Sequence, residues 1–217
     1  MITKRLQSIA AFALGLTYTV CAHASTLLSV TGNFTTANDV YMTTFVYNPL
    51  TGSQLSLQTY GFGGTSNAPG GTTLAGLTLS GGGFDPEVHL FSGSGPTATY
   101  VAGNDDGSCP PGAIFGGSGC RDSTLLLSGL AGGTYTVALT AWPNTPNPPP
   151  GEANPVPGQP LSSGFTNTGV FEGRSTFYAL DVQSVGSVPT TVPEPMSSML
   201  LGSGLLAMGY FLRRKRS

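Results

Sequence analysis

Apolar and polar residues alternate in short runs through the middle of the chain. Val40 to Tyr47 alternates, with Val40, Met42 and Val46 on one face. Leu55, Leu57 and Thr59 alternate with Gln54, Ser56 and Gln58. Leu77 and Leu79 form another short run, and Val88 and Leu90 alternate with Glu87, His89 and Phe91. Leu125 to Leu127 is apolar throughout. Tyr135, Val137, Leu139 and Ala141 alternate with Thr134, Thr136, Ala138 and Thr140, and Tyr178, Leu180 and Val182 alternate with Phe177, Ala179 and Asp181. Gly, Pro, Asn and Asp bound these runs, which is the signature of strands separated by turns. No long 3.6-residue period with caps interrupts them. The pattern predicts an all-β fold of about eight short strands, arranged as a single β-sandwich of jelly-roll type over residues 25–188.

Two apolar runs break the alternation, one near each end. Ile9 to Val20 follows Lys4 and Arg5 and precedes Ala22-His23-Ala24, a small-x-small cleavage pattern. That order reads as a secretory signal peptide over residues 1–24, cut after Ala24. Near the other end, Val192-Pro193-Glu194-Pro195 precedes an uncharged run over 196–212, and Arg213-Arg214-Lys215-Arg216 follows it. At about 1.5 Å per residue this run just crosses a hydrocarbon core of about 30 Å. The positive-inside rule keeps the basic cluster cytoplasmic. These three parts together, over residues 192–217, resemble the PEP-CTERM sorting signal of Gram-negative bacteria that make exopolysaccharide. The resemblance implies recognition by an exosortase, a membrane-embedded cysteine transpeptidase-like enzyme, with processing near Pro193-Glu194-Pro195. A plain membrane anchor would use the same physics without processing.

Charge sharpens the picture once the ends are set aside. Ser25 to Val192 keeps two basic residues, Arg121 and Arg174, against nine acids, a net charge of −7, and has no lysine. A nucleic-acid binder needs a basic patch, which this segment cannot build. Cations are the natural small partners. Cys109 and Cys120 are the cysteines left after removal of Cys21, and an even pair in an exported chain reads as a disulfide. A thiolate metal pair or a catalytic thiol are the alternatives.

Further motifs lie in the middle of the chain. Gln58-Thr59-Tyr60-Gly61-Phe62-Gly63-Gly64-Thr65, Gly81-Gly82-Gly83-Phe84-Asp85-Pro86, Leu90-Phe91-Ser92-Gly93 and Asn104-Asp105-Asp106-Gly107 come first. Asp122-Ser123-Thr124-Leu125, Gly133-Thr134-Tyr135-Thr136-Val137-Ala138-Leu139 and Tyr178-Ala179-Leu180-Asp181-Val182 follow. Together, over about residues 40–185, they resemble the pre-peptidase C-terminal domain. That likeness implies an extracellular jelly roll, accessory and not itself catalytic. Eight prolines between Pro143 and Pro160 depart from the family's usual loop. Their density excludes helix and central strand and predicts a long, flexible, solvated loop, with a polyproline recognition segment as the alternative.

The acids carry the best chemistry. Asp85, Asn104, Asp105, Asp106 and Asp122 all fall at strand ends or in loops. Hard cations such as Ca²⁺ take six to eight oxygen ligands, which loop carboxylates and carbonyls supply. In the resembled family some members bind Ca²⁺ near these motif positions, which implicates the same five residues. Turn chemistry is the competing account, because Asp106-Gly107 suits a hairpin turn and Asp85-Pro86 a turn opening. Asp122 has the further options of pairing with Arg121 or capping a loop. His89 falls opposite Val88 and Leu90 and is expected at a solvent or sheet surface. No nucleophile-elbow or zinc motif accompanies it. Trp142 reads as a core or rim aromatic, with sugar stacking as the alternative. The expected function is therefore that of an exported, non-enzymatic cell-surface or exopolysaccharide-matrix protein, first anchored in the inner membrane. A secreted carbohydrate-binding module is the alternative, and a hydrolase of unrecognised type the third.

Overall fold

The computed structural model describes residues 22–63, 68–114 and 121–187. These residues are all-β, with ten strands: β1 (Ala22–Asn33), β2 (Tyr41–Tyr47), β3 (Gln54–Tyr60), β4 (Pro69–Thr72), β5 (Thr78–Ser80), β6 (Pro86–Ser92), β7 (Thr99–Asn104), β8 (Thr124–Ser128), β9 (Gly133–Ala141) and β10 (Phe177–Ser187). Two single-turn 3₁₀ helices, Gly95–Thr97 and Leu161–Ser163, complete the list. The residues expected to form the 196–212 span and its Pro193-Glu194-Pro195 motif lie outside those described, as does most of the expected signal peptide. Among the described residues no helix is long and apolar enough to cross a membrane.

The strands pair as a ribbon folded back on itself. β6 pairs with β7, β3 with β8, β2 with β9 and β1 with β10, all antiparallel. Each outgoing strand thus meets its returning counterpart, and β4 and β5 form a separate two-stranded hairpin. Further pairing of β10 with β3, and of β6 with β9, closes two four-stranded sheets, ordered β1-β10-β3-β8 and β2-β9-β6-β7. β1 begins at Ala22, so cleavage after Ala24 would trim three of its rungs and leave Ser25–Asn33 paired.

Both sheets contribute to one apolar core. Leu55, Leu57, Leu125, Leu180 and Val182 come from the first sheet, and Phe45, Tyr47, Val88, Leu90, Val137 and Leu139 from the second. Each such side chain gains about 1.5–3 kcal/mol from leaving water. The alternation in β3, β6, β9 and β10 matches these inward positions. β2 presents the opposite face from the one its aliphatic residues suggested. Phe45 and Tyr47 are buried, while Met42 and Val46 are exposed. Aromatic rings bury more surface than Met or Val, so the aromatic set takes the core. Leu125–Leu127 also alternates, with Leu125 buried and Leu126 exposed.

The proline-rich segment after Trp142 corrects the expectation of a solvated loop, for it packs over the outer face of the second sheet. Its backbone bonds along β7 and the turn before it. Tyr100 N–H donates to the Gln159 carbonyl at 2.8 Å, Gly158 N–H to the Tyr100 carbonyl at 2.8 Å, and Leu161 N–H to the Ala98 carbonyl at 2.7 Å. Proline lacks a backbone donor, and amide side chains between the prolines supply donors instead. Asn144, fully buried, donates to the Asn38 carbonyl at 3.3 Å and accepts from Asn167 N–H at 2.8 Å. Asn147 donates to the Ser163 and Phe165 carbonyls, and Gln159 to the Asn147 carbonyl. Phe165 then packs with Phe91, Ala98, Tyr100 and Ala138 in a second apolar cluster.

Candidate functional site

The acidic loops meet because of strand register. β6 starts beside Asp85 and β7 ends beside Asp105, and Val88 pairs with Asn104 in the hairpin they form. That register sets residues 85–87 across from residues 105–107. Asp85, Asp105 and Asp106 each bring one oxygen to within 4.8 Å of the others. Asp85 is buried, Asp105 half-buried and Asp106 exposed, so the cluster runs from the interior to solvent.

The site is rich in oxygen and poor in positive charge. Arg121 Nη1 lies 2.7 Å from Asp85 Oδ2 and 3.6 Å from Glu172 Oε2. Asp85 Oδ1 and Asp105 Oδ1 are buried without a hydrogen-bond partner. Burial pushes the Asp85 carboxyl up to about 6, although the hydrogen bond and charge of Arg121 pull the other way. Asp105 is pushed up to about 7, first by burial and then by Glu87, Asp85 and Asp106. A carboxylate in that position is a poorly solvated anion, and a cation would restore its preference for charge. Fully buried Ser123 adds carbonyls to the neighbourhood. Its hydroxyl lies 2.5 Å from the Pro86 carbonyl, 2.9 Å from that of Asn104, and also against that of Asp105. One hydroxyl proton serves a single acceptor well, so three carbonyls converge on one donor.

The remaining expected ligands serve the loops. Asn104 Nδ2 donates to the Asp106 carbonyl at 2.5 Å and to the Thr124 carbonyl at 2.7 Å. Asp122 is fully buried and accepts from Phe62 N–H at 3.2 Å, from Gly63 N–H, and from Thr59 Oγ1 at 3.5 Å. Burial raises its carboxyl to about 7 against the pull of those donors. This is the loop-capping role open to it from sequence, and Arg121 reaches Asp85 and Glu172 in the meantime.

His89 was expected at a surface and is instead buried, 4% exposed. The cover explains this, since Phe165 from the segment after Trp142 and Tyr100 from β7 set their rings at a tilt to the imidazole, 6.1 and 6.3 Å away between centres. His89 Nε2 lies 3.2 Å from Glu87 Oε2 and 3.4 Å from Thr140 Oγ1. Sequence reasoning missed Glu87 as a buried neighbour of the acids. The signal was its spacing of two from both Asp85 and His89. Cys109 is exposed, no disulfide occurs among the described residues, and Cys120 lies outside them. Trp142 is 37% exposed. A separate apolar groove lined by Met42, Thr44, Pro96 and Leu161 contains no titratable side chain. No family model, curated protein or solved structure matches this chain.

Proposed function

We propose that the chain is an exported, non-enzymatic protein of the cell surface or exopolysaccharide matrix, whose β-sandwich is a jelly roll clamped by Ca²⁺ at Asp85, Asp105 and Asp106. The observation that carries the cation is Asp85. Its side chain is 3% exposed, one oxygen has no hydrogen-bond partner, and two further carboxylates approach it. Loop carboxylates with nearby carbonyls suit a hard cation with six to eight oxygen ligands. The pairing of each outgoing strand with its return supports the jelly-roll winding, in which an antiparallel ribbon is rolled into two sheets. A chain delivered through the signal peptide and held by the PEP-CTERM tail would present its exosortase partner with the Pro193-Glu194-Pro195 motif. Seating of His89 beneath Phe165 and Tyr100 favours a non-enzymatic role.

Two measurements test this reading. Isothermal titration of the full-length chain with CaCl₂ is expected to release heat, and thermal melting with CaCl₂ to show a higher melting temperature; the absence of both changes would rule out the metal. Intact-mass spectrometry of protein recovered from medium and membranes is expected to find cleavage after Ala24 and near Pro195. A full-length cytosolic chain would remove export. The carbohydrate-binding reading has one observation in its favour, the exposed indole of Trp142. Glycan-array binding that is lost in Trp142→Ala would establish it in place of a purely structural role.

A further inference from the structure

We propose that Arg121 is the resident counter-ion of the acidic cluster and is exchanged for the incoming divalent cation, so that this one guanidinium sets the metal affinity. The inference rests on Asp85, Asp105 and Asp106 being a cation site. It goes beyond that reading by assigning what a cation must displace.

Both arginines feel the charge of Asp85, but among the described residues it is Arg121 that makes an ion pair with it. Arg174 is committed elsewhere, with Nε 2.5 Å from the Gly83 carbonyl, Nη2 against the Phe62 carbonyl, and its guanidinium 3.9 Å from the Phe62 ring centre. Among the described residues Arg121 is therefore the cation within ion-pair distance of the cluster, on Asp85, and it also feels the charge of Asp106. It holds a single oxygen of Asp85, at 2.7 Å. The other oxygen stays buried and unpartnered, so a guanidinium leaves the site half satisfied. A fork of N–H donors reaches carboxylates only from the side it approaches, whereas a spherical cation accepts oxygens from all directions.

Arg121 is also placed to leave. Its side chain is 42% exposed while that of Asp85 is 4% exposed, so the arginine is the member of the pair that can move off without opening the core. Glu172 Oε2 lies 3.6 Å from the same Nη1 and is itself 41% exposed, which gives the guanidinium a second carboxylate at the rim. The Phe62 ring, 5.6 Å from the guanidinium carbon, offers an apolar face beside that position. A divalent ion at Asp85 and a guanidinium on the same carboxylate repel each other at short range, and that repulsion falls as Arg121 swings to Glu172.

The test is calorimetric titration of the full-length chain with CaCl₂, comparing wild type, Arg121→Lys, Arg121→Gln, Glu172→Gln and the Arg121→Gln/Glu172→Gln double variant. Arg121→Gln is expected to bind Ca²⁺ about tenfold more tightly, because a like charge is removed from the site. Arg121→Lys keeps the charge and is expected to hold wild-type affinity. Glu172→Gln is expected to bind about threefold more weakly by denying Arg121 its alternative partner, an effect that vanishes in the double variant because the two residues act through each other. Equal or weaker binding by Arg121→Gln, with wild type still binding, would overturn the exchange and leave the metal site standing. Absence of heat from both wild type and Arg121→Gln would sink the metal site and the exchange with it. Circular dichroism melting of each variant separates these outcomes from loss of the fold.

Discussion

Asp85, Glu87 and His89 stand two residues apart, yet they end in opposite surroundings. Asp85 joins Asp105 and Asp106 in a cluster that reaches solvent. His89 is buried against Phe165 and Tyr100, with Glu87 beside it; Glu87 is the joint between the two ends, since its charge also acts on Asp105. A similar row of polar side chains thus becomes an open acidic mouth at one end and a sealed pair at the other. The difference is made by the cover and not by the strand. Polarity at alternate positions says that a face is not part of the main core; whether it meets water depends on what other chain lies over it.

The strongest way to break the contrast is to lift the cover. Phe165→Ala is expected to cost about 3–4 kcal/mol, the usual range for deleting a packed aromatic ring. Urea denaturation would measure it. The same variant should make His89 reactive to diethyl pyrocarbonate at neutral pH while leaving Ca²⁺ affinity unchanged. A loss of Ca²⁺ binding would mean that the two ends are one site.

Acidity separates the ends next. Burial holds the carboxyls of Asp85, Asp105 and Asp122 above their unfolded range, at about 6, 7 and 7. The folded chain therefore keeps protons that the unfolded chain has released above about pH 4. This contribution is fully present below that pH and is lost as pH rises through 6 to 7. In EDTA, stability is expected to fall by on the order of a few kcal/mol between pH 5 and pH 8, with solvent screening the share of half-buried Asp105. Saturating Ca²⁺ should flatten that slope. An identical slope with and without Ca²⁺ would confine the effect to fully buried Asp122. The smallest effect belongs to Trp142→Ala, which removes an indole outside both ends. Its stability cost is expected below about 0.5 kcal/mol, and thermal melting would check it.

Much of the fold was legible as alternation. β3, β6, β9 and β10 place Leu, Val and Tyr inward where the period-2 pattern put them. β2 was half legible: its period held, but two faces of similar hydrophobicity competed, and the aromatic one won. β1 escaped notice because Ser and Thr dilute its apolar positions and its first residues overlap the signal-peptide pattern. β7 hides behind Ala102 and Gly103. The glycine is required there, since a Cβ would stand 2.6 Å from His89 Nδ1. The proline-rich segment was misread because proline forbids regular ladders but not irregular packing. Asn144, Asn147 and Gln159 were its visible clue, as amides able to replace missing donors. At the site, the acids were legible singly as loop-end carboxylates. Their meeting was not, because it needs the β6–β7 register. Ser123 was invisible as a contributor, since a serine after Asp122 carries no signal of three carbonyls converging on it.

The folded-back ribbon also fixes how this module would bear load. Its first and last strands lie side by side, with Ala22 opposite Ser187. Tension between the two ends would therefore peel β1 from β10 one rung at a time, starting at Ala22 and Ser187, instead of shearing many hydrogen bonds at once. A tether attached to both ends would yield at low force, as a zip does. Force entering through one end and leaving through a lateral grip on the sheets would spare that weak line.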